Sequence, residues 1–147
     1  MAQHKCDDPE CGHDSNEQAE QKYFMLQMID AQIKEIEKEI SALEQRSADI
    51  ASLKSSLGAF LETKPHSKSL AGLGLGVYAE SEIKNTRDVL VNVGAGVLVR
   101  KTVSEAADMM GRQLAQIDSV ALQLTQNLTS LAKRAQEIEK EIQSLVK

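Results

Sequence analysis

The hydrophobic positions of this chain follow two different periods. In residues 17–61 and again in residues 102–147, apolar residues recur at alternating spacings of three and four, the heptad spacing of a coiled-coil helix. Between these stretches, residues 70–101 contain glycine-separated runs that alternate or are rich in Val and Leu, which is typical of strands. The pattern therefore predicts two long helices with a β insert between them.

The first helix is predicted to begin at Glu17, two residues after Ser15, which forms a capping-box pattern with Gln18. Its seam consists of Leu26, Ile33 and Ile40 at a positions and Ile29, Ile36, Leu43 and Ile50 at d positions. Ser47 interrupts this seam, and the following apolar residues, Leu53 among them, indicate a three-residue stammer. Gly58 and Pro65 then end the helix. Residues 62–69 form a connector in which His66 is expected to be a solvated loop residue.

The second helix opens with a capping box formed by Thr102 and Glu105 and continues to residue 147. Its heptad is unbroken, with apolar residues at every a and d position: Ala107, Met110, Leu114, Ile117, Ala121, Leu124, Leu128, Leu131, Ala135, Ile138, Ile142 and Leu145. Each helix would be about 67 Å long, and the matched lengths favour an antiparallel coiled-coil hairpin. The alternative, in which each helix pairs with another chain, stays open.

The β insert is expected to contain two hairpins. Residues 89–93 and 97–101 are separated by Gly94-Ala95-Gly96, a three-residue loop suited to positive φ, while residues 70–73 would pair with the alternating strand 77–83. Hairpins this small bury too little apolar surface to be stable alone, and they leave unpaired edges. The insert therefore predicts oligomerisation through its valines: Val77, Val89, Val91, Val93, Val97 and Val99.

Composition and charge exclude several classes of function. Aromatic residues make up 3% of the chain, the formal net charge is −5 and the pI is near 5.2, which disfavours nucleic-acid binding. The sequence has no apolar run of membrane-spanning length and no signal-peptide core, so we expect a cytoplasmic protein without membrane association. We expect no cofactor and no enzyme activity, because no catalytic constellation is present and Gly72, Gly74 and Gly76 precede a strand instead of a helix.

Residues 1–16 are polar and without a period, so we interpret them as a disordered tail. The tail contains a cluster of residue types that bind Zn²⁺, namely His4, Cys6, Cys11 and His13. Their spacing lies outside the common zinc patterns, and four ligands so close together enclose almost no folded structure. We therefore assign no metal to the chain and keep these four residues as weak candidates.

The start of the first helix carries large apolar residues outside the seam. Tyr23, Phe24, Met25 and Met28 fall at the e, f, g and c positions, where polar residues are expected. In an antiparallel hairpin, Leu145 and Val146 would lie beside them. Met-rich and aromatic surfaces adapt to many partners, so these six residues are predicted to bind unfolded proteins at the tip of the hairpin. The alternative, in which they only cap the coil, stays open.

The chain has a heptad helix, a glycine-rich insert and a second heptad helix, with V-N-V-G-A-G-V at residues 91–97 before the S-E-A helix start at residues 104–106. This order resembles the α-type subunits of the prefoldin family. The resemblance implies a mainly α fold: a long antiparallel coiled-coil hairpin with two inserted β-hairpins that join an oligomeric β-barrel body.

The same resemblance implies partners and an activity. It implies a hetero-hexamer of two α-type with four prefoldin β-type subunits that holds non-native client proteins at its tips without ATP and passes them to a group II chaperonin. A structural coiled-coil scaffold or adaptor for folded partners is the alternative, and a metal-dependent enzyme built on the Cys/His tail is a third and less favoured hypothesis.

Overall fold

The structure is a computed structural model that describes the backbone of residues 13–146 and the side chains of residues 16–146. Its elements are α1 (His13–Glu62), β1 (Ser67–Gly74), β2 (Val77–Ile83), β3 (Asp88–Asn92), β4 (Leu98–Thr102) and α2 (Val103–Leu145). The strands form two antiparallel sheets of two strands each, β1 with β2 and β3 with β4. The predicted fold class, two long helices with two inserted β-hairpins, is confirmed, and no closed barrel forms within residues 13–146.

The described chain divides into two compact units. The first unit combines residues 13–42 with residues 121–146, and the second consists of residues 43–120. In the first unit, the start of α1 packs against the end of α2 around a core of Ile29, Ile138 and Ile142. Because α1 residues near its N-terminus contact α2 residues near its C-terminus, the helices of this unit run antiparallel.

The second unit contains both hairpins, and their turns explain the glycine spacing of the insert. In the first hairpin, Leu75 (φ 49°) and Gly76 (φ 81°) are both left-handed, as a type I′ turn requires. The loop of the second hairpin holds Gly94, Ala95 and Gly96 at positive φ, and the Val93 N–H donates to the Val97 carbonyl at 3.0 Å. The predicted three-residue loop is confirmed, with Ala95 adopting the left-handed conformation as well.

The start of α2 is fixed by its cap. The Thr102 N–H donates to Glu105 Oε2 at 3.1 Å, and the Glu105 N–H donates to Thr102 Oγ1 at 3.1 Å, which is the reciprocal capping box that the sequence predicts. The Val103 N–H also donates to the Arg87 carbonyl in the loop before β3. Val103 is 1% exposed, so this junction is the most tightly buried point among the described side chains.

Burial along the helices follows the heptads. All twelve a and d residues predicted for α2 are buried or half-buried. In α1 the predicted break at Ser47 is wrong, because Ser47 is half-buried and Ile50 is buried, and serine is small enough to occupy an a position. Further along, Leu53 is 47% exposed, whereas Leu57 and Phe60 of the predicted shifted seam are half-buried and Leu61 is 53% exposed. The seam therefore passes through Ser47 and shifts only near the end of α1.

Two boundaries differ from the sequence prediction by three residues or more, and the others agree within two residues. α1 begins at His13, four residues before the predicted start at residue 17, because no Gly or Pro lies between Gly12 and Gly58 to end a helix. β1 begins at Ser67 instead of Leu70, which shortens the connector to residues 63–66. Its first residues are polar, but they pair with β2 in the register Ser67↔Ile83 and Ser69↔Ser81, so the partner strand sets the length of β1. Neither helix is long and apolar enough within residues 13–146 to cross a membrane.

Candidate functional sites at the helix ends and the hairpins

The apolar residues at the start of α1 project into solvent. Tyr23 is 50% exposed, Phe24 65%, Met25 45% and Met28 51%, and Val146 at the end of the described chain is 70% exposed. Leu145, by contrast, is half-buried at a d position, so it belongs to the seam and not to the exposed surface. We call Tyr23, Phe24, Met25, Met28 and Val146 the tip cluster.

A rigid core supports the tip cluster. Ile29 (7% exposed), Ile138 (7%) and Ile142 (5%) form it, and these partly buried residues pack against it: Leu26, Ile33, Leu131 and Ala135. Burying an isoleucine side chain contributes roughly 1.5–3 kcal/mol, so three of them hold the two helices in one register. The small Ala135 leaves room for the larger side chains of α1 that pack against the same core.

The two helices share the surface of the tip. Tyr23 of α1 lines an open cavity of about 270 Å³ together with Ile142, Gln143 and Val146 of α2. Since the seam residue Ile142 forms part of its floor, an apolar side chain entering this depression would meet both the core and the tip cluster. The predicted proximity of Val146 to Tyr23 is thereby present in the structure.

An ion pair that the sequence analysis missed lies beside this cavity. The Lys22 ammonium contacts the Glu141 carboxylate across the two helices. Lys22 occupies a d position seven residues before Ile29 and is half-buried, and Ala19, an a position one heptad before Leu26, is buried. The seam therefore extends one heptad closer to the N-terminus than the apolar pattern indicates. Counting back in sevens from Leu26 and Ile29 would have found both residues.

Three of the valines that are predicted to form the oligomer interface lie on one face of the second hairpin. The register Val91↔Val99 and Val89↔Lys101 brings Val89, Val91 and Val99 to the same side of the β3–β4 sheet. Val89 and Val91 are half-buried and Val99 is 37% exposed. Val93 (52% exposed) and Val97 (53%) flank the loop at the end of this hairpin.

The opposite face of the same hairpin is also partly apolar. Leu90 is 60% exposed and Leu98 is 58% exposed, and between them Arg100 Nη1 lies 3.9 Å from Asp88 Oδ2. On the first hairpin, the large exposed apolar side chains are Leu70, Leu73, Leu75, Val77 and Tyr78. Short strands that are apolar on both faces are typical of sheets covered on both sides, so both hairpins offer surface that a partner could cover.

A comparison with family models identifies the fold. The model described as "Prefoldin subunit" matches residues 29–147, which include both hairpins, all of α2 and most of α1. This match covers far more than half of the chain.

The chain belongs to the prefoldin family.

Several of its relatives are prefoldin α subunits, which confirms the α type that the sequence resemblance indicates. The prefoldin subunit alpha of Archaeoglobus fulgidus is 25% identical over 128 residues, covering 87% of this chain and 93% of that protein. The corresponding subunit of Nitrosopumilus maritimus is 30% identical over 115 residues, covering 76% of this chain and 75% of that protein. This chain is thus an α-type prefoldin subunit, a component of a prefoldin chaperone.

Solved structures show the same fold. A chain in the cryo-EM structure of filamentous prefoldin from Methanocaldococcus jannaschii superimposes with a TM-score of 0.72 at 19% identity, covering 78% of this chain and 95% of that one. At this identity the likeness concerns the fold alone.

The Cys/His cluster falls outside the prefoldin match, which begins at residue 29. His4, Cys6 and Cys11 lie outside the described residues, and His13 starts α1 but its side chain is outside them as well. Among the described side chains, no group of three or more His, Cys, Asp or Glu residues is arranged to hold a metal ion.

The connector histidine has a neighbour that the sequence did not indicate. His66 Nδ1 lies 2.5 Å from Glu82 Oε1 on β2, while the His66 N–H donates to the Ile83 carbonyl at 2.7 Å. His66 is left-handed, with φ of 64°. His66 is an exposed residue of the connector, as predicted, and its two contacts close the open end of the first hairpin.

Proposed function

We propose that this α-type prefoldin subunit captures unfolded proteins at its tip cluster without using ATP. The observation that carries the proposal is the exposure of four large apolar side chains on consecutive turns of α1, Tyr23, Phe24, Met25 and Met28, directly outside a well-packed core. Exposed apolar patches supported by rigid structure are typical of interaction sites. Methionine and aromatic side chains suit partners whose sequence varies.

A single tip would bind weakly. A fully buried large apolar side chain contributes roughly 1.5–3 kcal/mol, but a shallow open surface leaves part of each contact wet, and ordering an unfolded segment costs entropy. Several tips that act on one client would raise the affinity through effective concentration. Weak tips are therefore consistent with a subunit that works within an oligomer.

The proposal extends to the assembly. We place the oligomer interface on the hairpin valines, Val77, Val89, Val91, Val93, Val97 and Val99, and propose a hetero-hexamer with two copies of this subunit and four β-type subunits. Both hairpins have uncovered strands and apolar side chains, which support this assignment. Delivery of clients to a group II chaperonin and residence in the cytoplasm belong to the same proposal, and membership of the prefoldin family supports both.

The test compares two triple variants in the assembled oligomer. Phe24→Ser/Met25→Ser/Met28→Ser removes the tip cluster, whereas Leu53→Ser/Val120→Ser/Leu122→Ser removes apolar residues of similar exposure elsewhere on the helices (47%, 43% and 60% exposed). Aggregation of a chemically denatured test protein is followed by light scattering without ATP. We expect the tip variant to lose most of its suppression and the control variant to keep it, with hexamer mass and helicity unchanged in both.

Two results would contradict the proposal. Full suppression by the tip variant, with assembly verified, would place client binding elsewhere. Wild-type protein that leaves aggregation unchanged and binds only folded partners would support the alternative function as a coiled-coil scaffold or adaptor.

A further inference from the structure

The tip cluster lies among acidic side chains that lack matching cations. Within residues 16–30 and 137–146, the carboxylates are Glu17, Glu20, Asp30, Glu137, Glu139 and Glu141, and the cations are Lys22 and Lys140. Lys22 is paired with Glu141. The five other carboxylates are all exposed, and the other cations in this part of the sequence are Lys140 and Lys147, which directly follows Val146.

The adjacent part of the same unit has a different charge balance. Residues 31–42 and 121–136 carry three carboxylates and four cations: Glu35, Glu37, Glu39, Lys34, Lys38, Lys133 and Arg134. The excess of negative charge is therefore concentrated around the apolar tip and does not continue along the helices.

Helical geometry places these carboxylates beside the tip cluster. Glu20 and Glu17 precede Phe24 by four and seven residues, and Glu139 precedes Val146 by seven residues. Residues spaced by four or seven lie on the same face of a helix, at distances of roughly 6 and 10 Å along its axis. These distances are close to the Debye length of about 8–10 Å at physiological ionic strength, so a bound segment would sense the charges.

We infer that the tip selects unfolded segments in which apolar residues are flanked by Lys or Arg. The apolar residues would contact Phe24, Met28 and the depression beside Tyr23, while flanking cations would lie close to Glu17, Glu20 and Glu139. Segments flanked by acidic residues would be repelled, which gives discrimination through complementary charge. This inference rests on the proposed function, because it specifies the client of the same site.

The experiment uses three labelled unfolded peptides with one shared apolar core, flanked by Lys, by Ser or by Glu. Binding to the assembled oligomer is measured by fluorescence anisotropy. Glu17→Gln/Glu20→Gln/Glu139→Gln removes three carboxylates at the tip. Glu35→Gln/Glu37→Gln/Glu39→Gln is the matched control, since it removes the same charge from exposed α1 positions that are about 16–22 Å beyond Phe24 along the helix axis.

In about 50 mM salt the Debye length is roughly 14 Å. At a separation of about 10 Å, the screened Coulomb attraction between one tip carboxylate and one peptide cation then increases the affinity about 1.4-fold. With two such cations, we expect the tip variant to weaken binding of the Lys-flanked peptide about sevenfold. The control variant should weaken it less than about twofold, and both effects should vanish in about 0.5 M salt.

The Ser-flanked peptide separates this inference from the proposed function. Two results would refute the charge selection while tip capture stands, provided that the Ser-flanked peptide binds wild-type protein. In the first, the Lys- and Glu-flanked peptides bind equally well. In the second, both variants weaken binding of the Lys-flanked peptide to the same extent. If none of the three peptides binds, tip capture itself fails and the inference fails with it.

Discussion

Replacing Ile138 by alanine tests whether the buried core of the first unit holds the tip together. Ile138 is 7% exposed and packs with Ile29 and Ile142. The change removes three buried carbon groups, worth about 2.4 kcal/mol at roughly 0.8 kcal/mol each, and it adds a cavity term. The higher helix propensity of alanine offsets a few tenths of a kcal/mol of this loss, and the two helices can move together to reduce the cavity. We expect Ile138→Ala to lower the free energy of local unfolding of the tip by about 2–3 kcal/mol.

Amide hydrogen exchange read by mass spectrometry measures this loss locally. Opening of the tip governs exchange of its protected amides, so Ile138→Ala should accelerate exchange in peptides from residues 17–33 and 131–146 by about 30- to 150-fold. Leu122→Ala is the control, because Leu122 is in the same unit and helix but is 60% exposed. This variant should lower the free energy of opening by no more than about 0.5 kcal/mol. Equal acceleration by the two variants would refute the assignment of Ile138 to the core.

Two further predictions concern the hairpins and the start of α2. Val91→Asp places a charge on the face shared with Val89 and Val99, and sedimentation should show a dissociated oligomer while circular dichroism still reports helix. The control Val120→Asp places the same charge on α2 outside the hairpins, at a residue that is 43% exposed, and should leave the oligomer intact. Thr102→Ala removes one half of the capping box, so urea unfolding should show a loss of about 1 kcal/mol, and no measurable loss would contradict the cap geometry.

Features governed by local spacing can be predicted from the sequence. The seam of α2 is predictable at all twelve positions because its a and d residues are apolar without exception, and the capping box is predictable because Thr and Glu three residues apart satisfy each other's N–H groups. The exposure of Phe24 and Met28 follows from the same heptad, since a residue outside the seam of a two-helix coil faces solvent.

Features that depend on a distant partner cannot be predicted in the same way. Lys22 is a charged residue in the seam, and its position becomes understandable only with Glu141 on the other helix. The predicted break at Ser47 is wrong because the apolar pattern treats serine as an interruption, whereas a small polar side chain fits at an a position. Similarly, the polar start of β1 carries no strand pattern, and its extension to Ser67 depends on pairing with Ile83. His66 is paired with Glu82 for the same reason, through a contact between residues sixteen positions apart.

Site-specific photo-crosslinking tests the central claim, client capture at the tip, most directly. A photoreactive phenylalanine analogue replaces Phe24 in one variant and Leu122 in another, two positions with similar exposure of 65% and 60%. Each assembled oligomer is irradiated with a denatured test protein in the absence of ATP, and crosslinked client is quantified by mass spectrometry. We predict abundant client crosslinks from position 24 and few from position 122. Equal yields from the two positions, or a higher yield from position 122, would contradict capture at the tip.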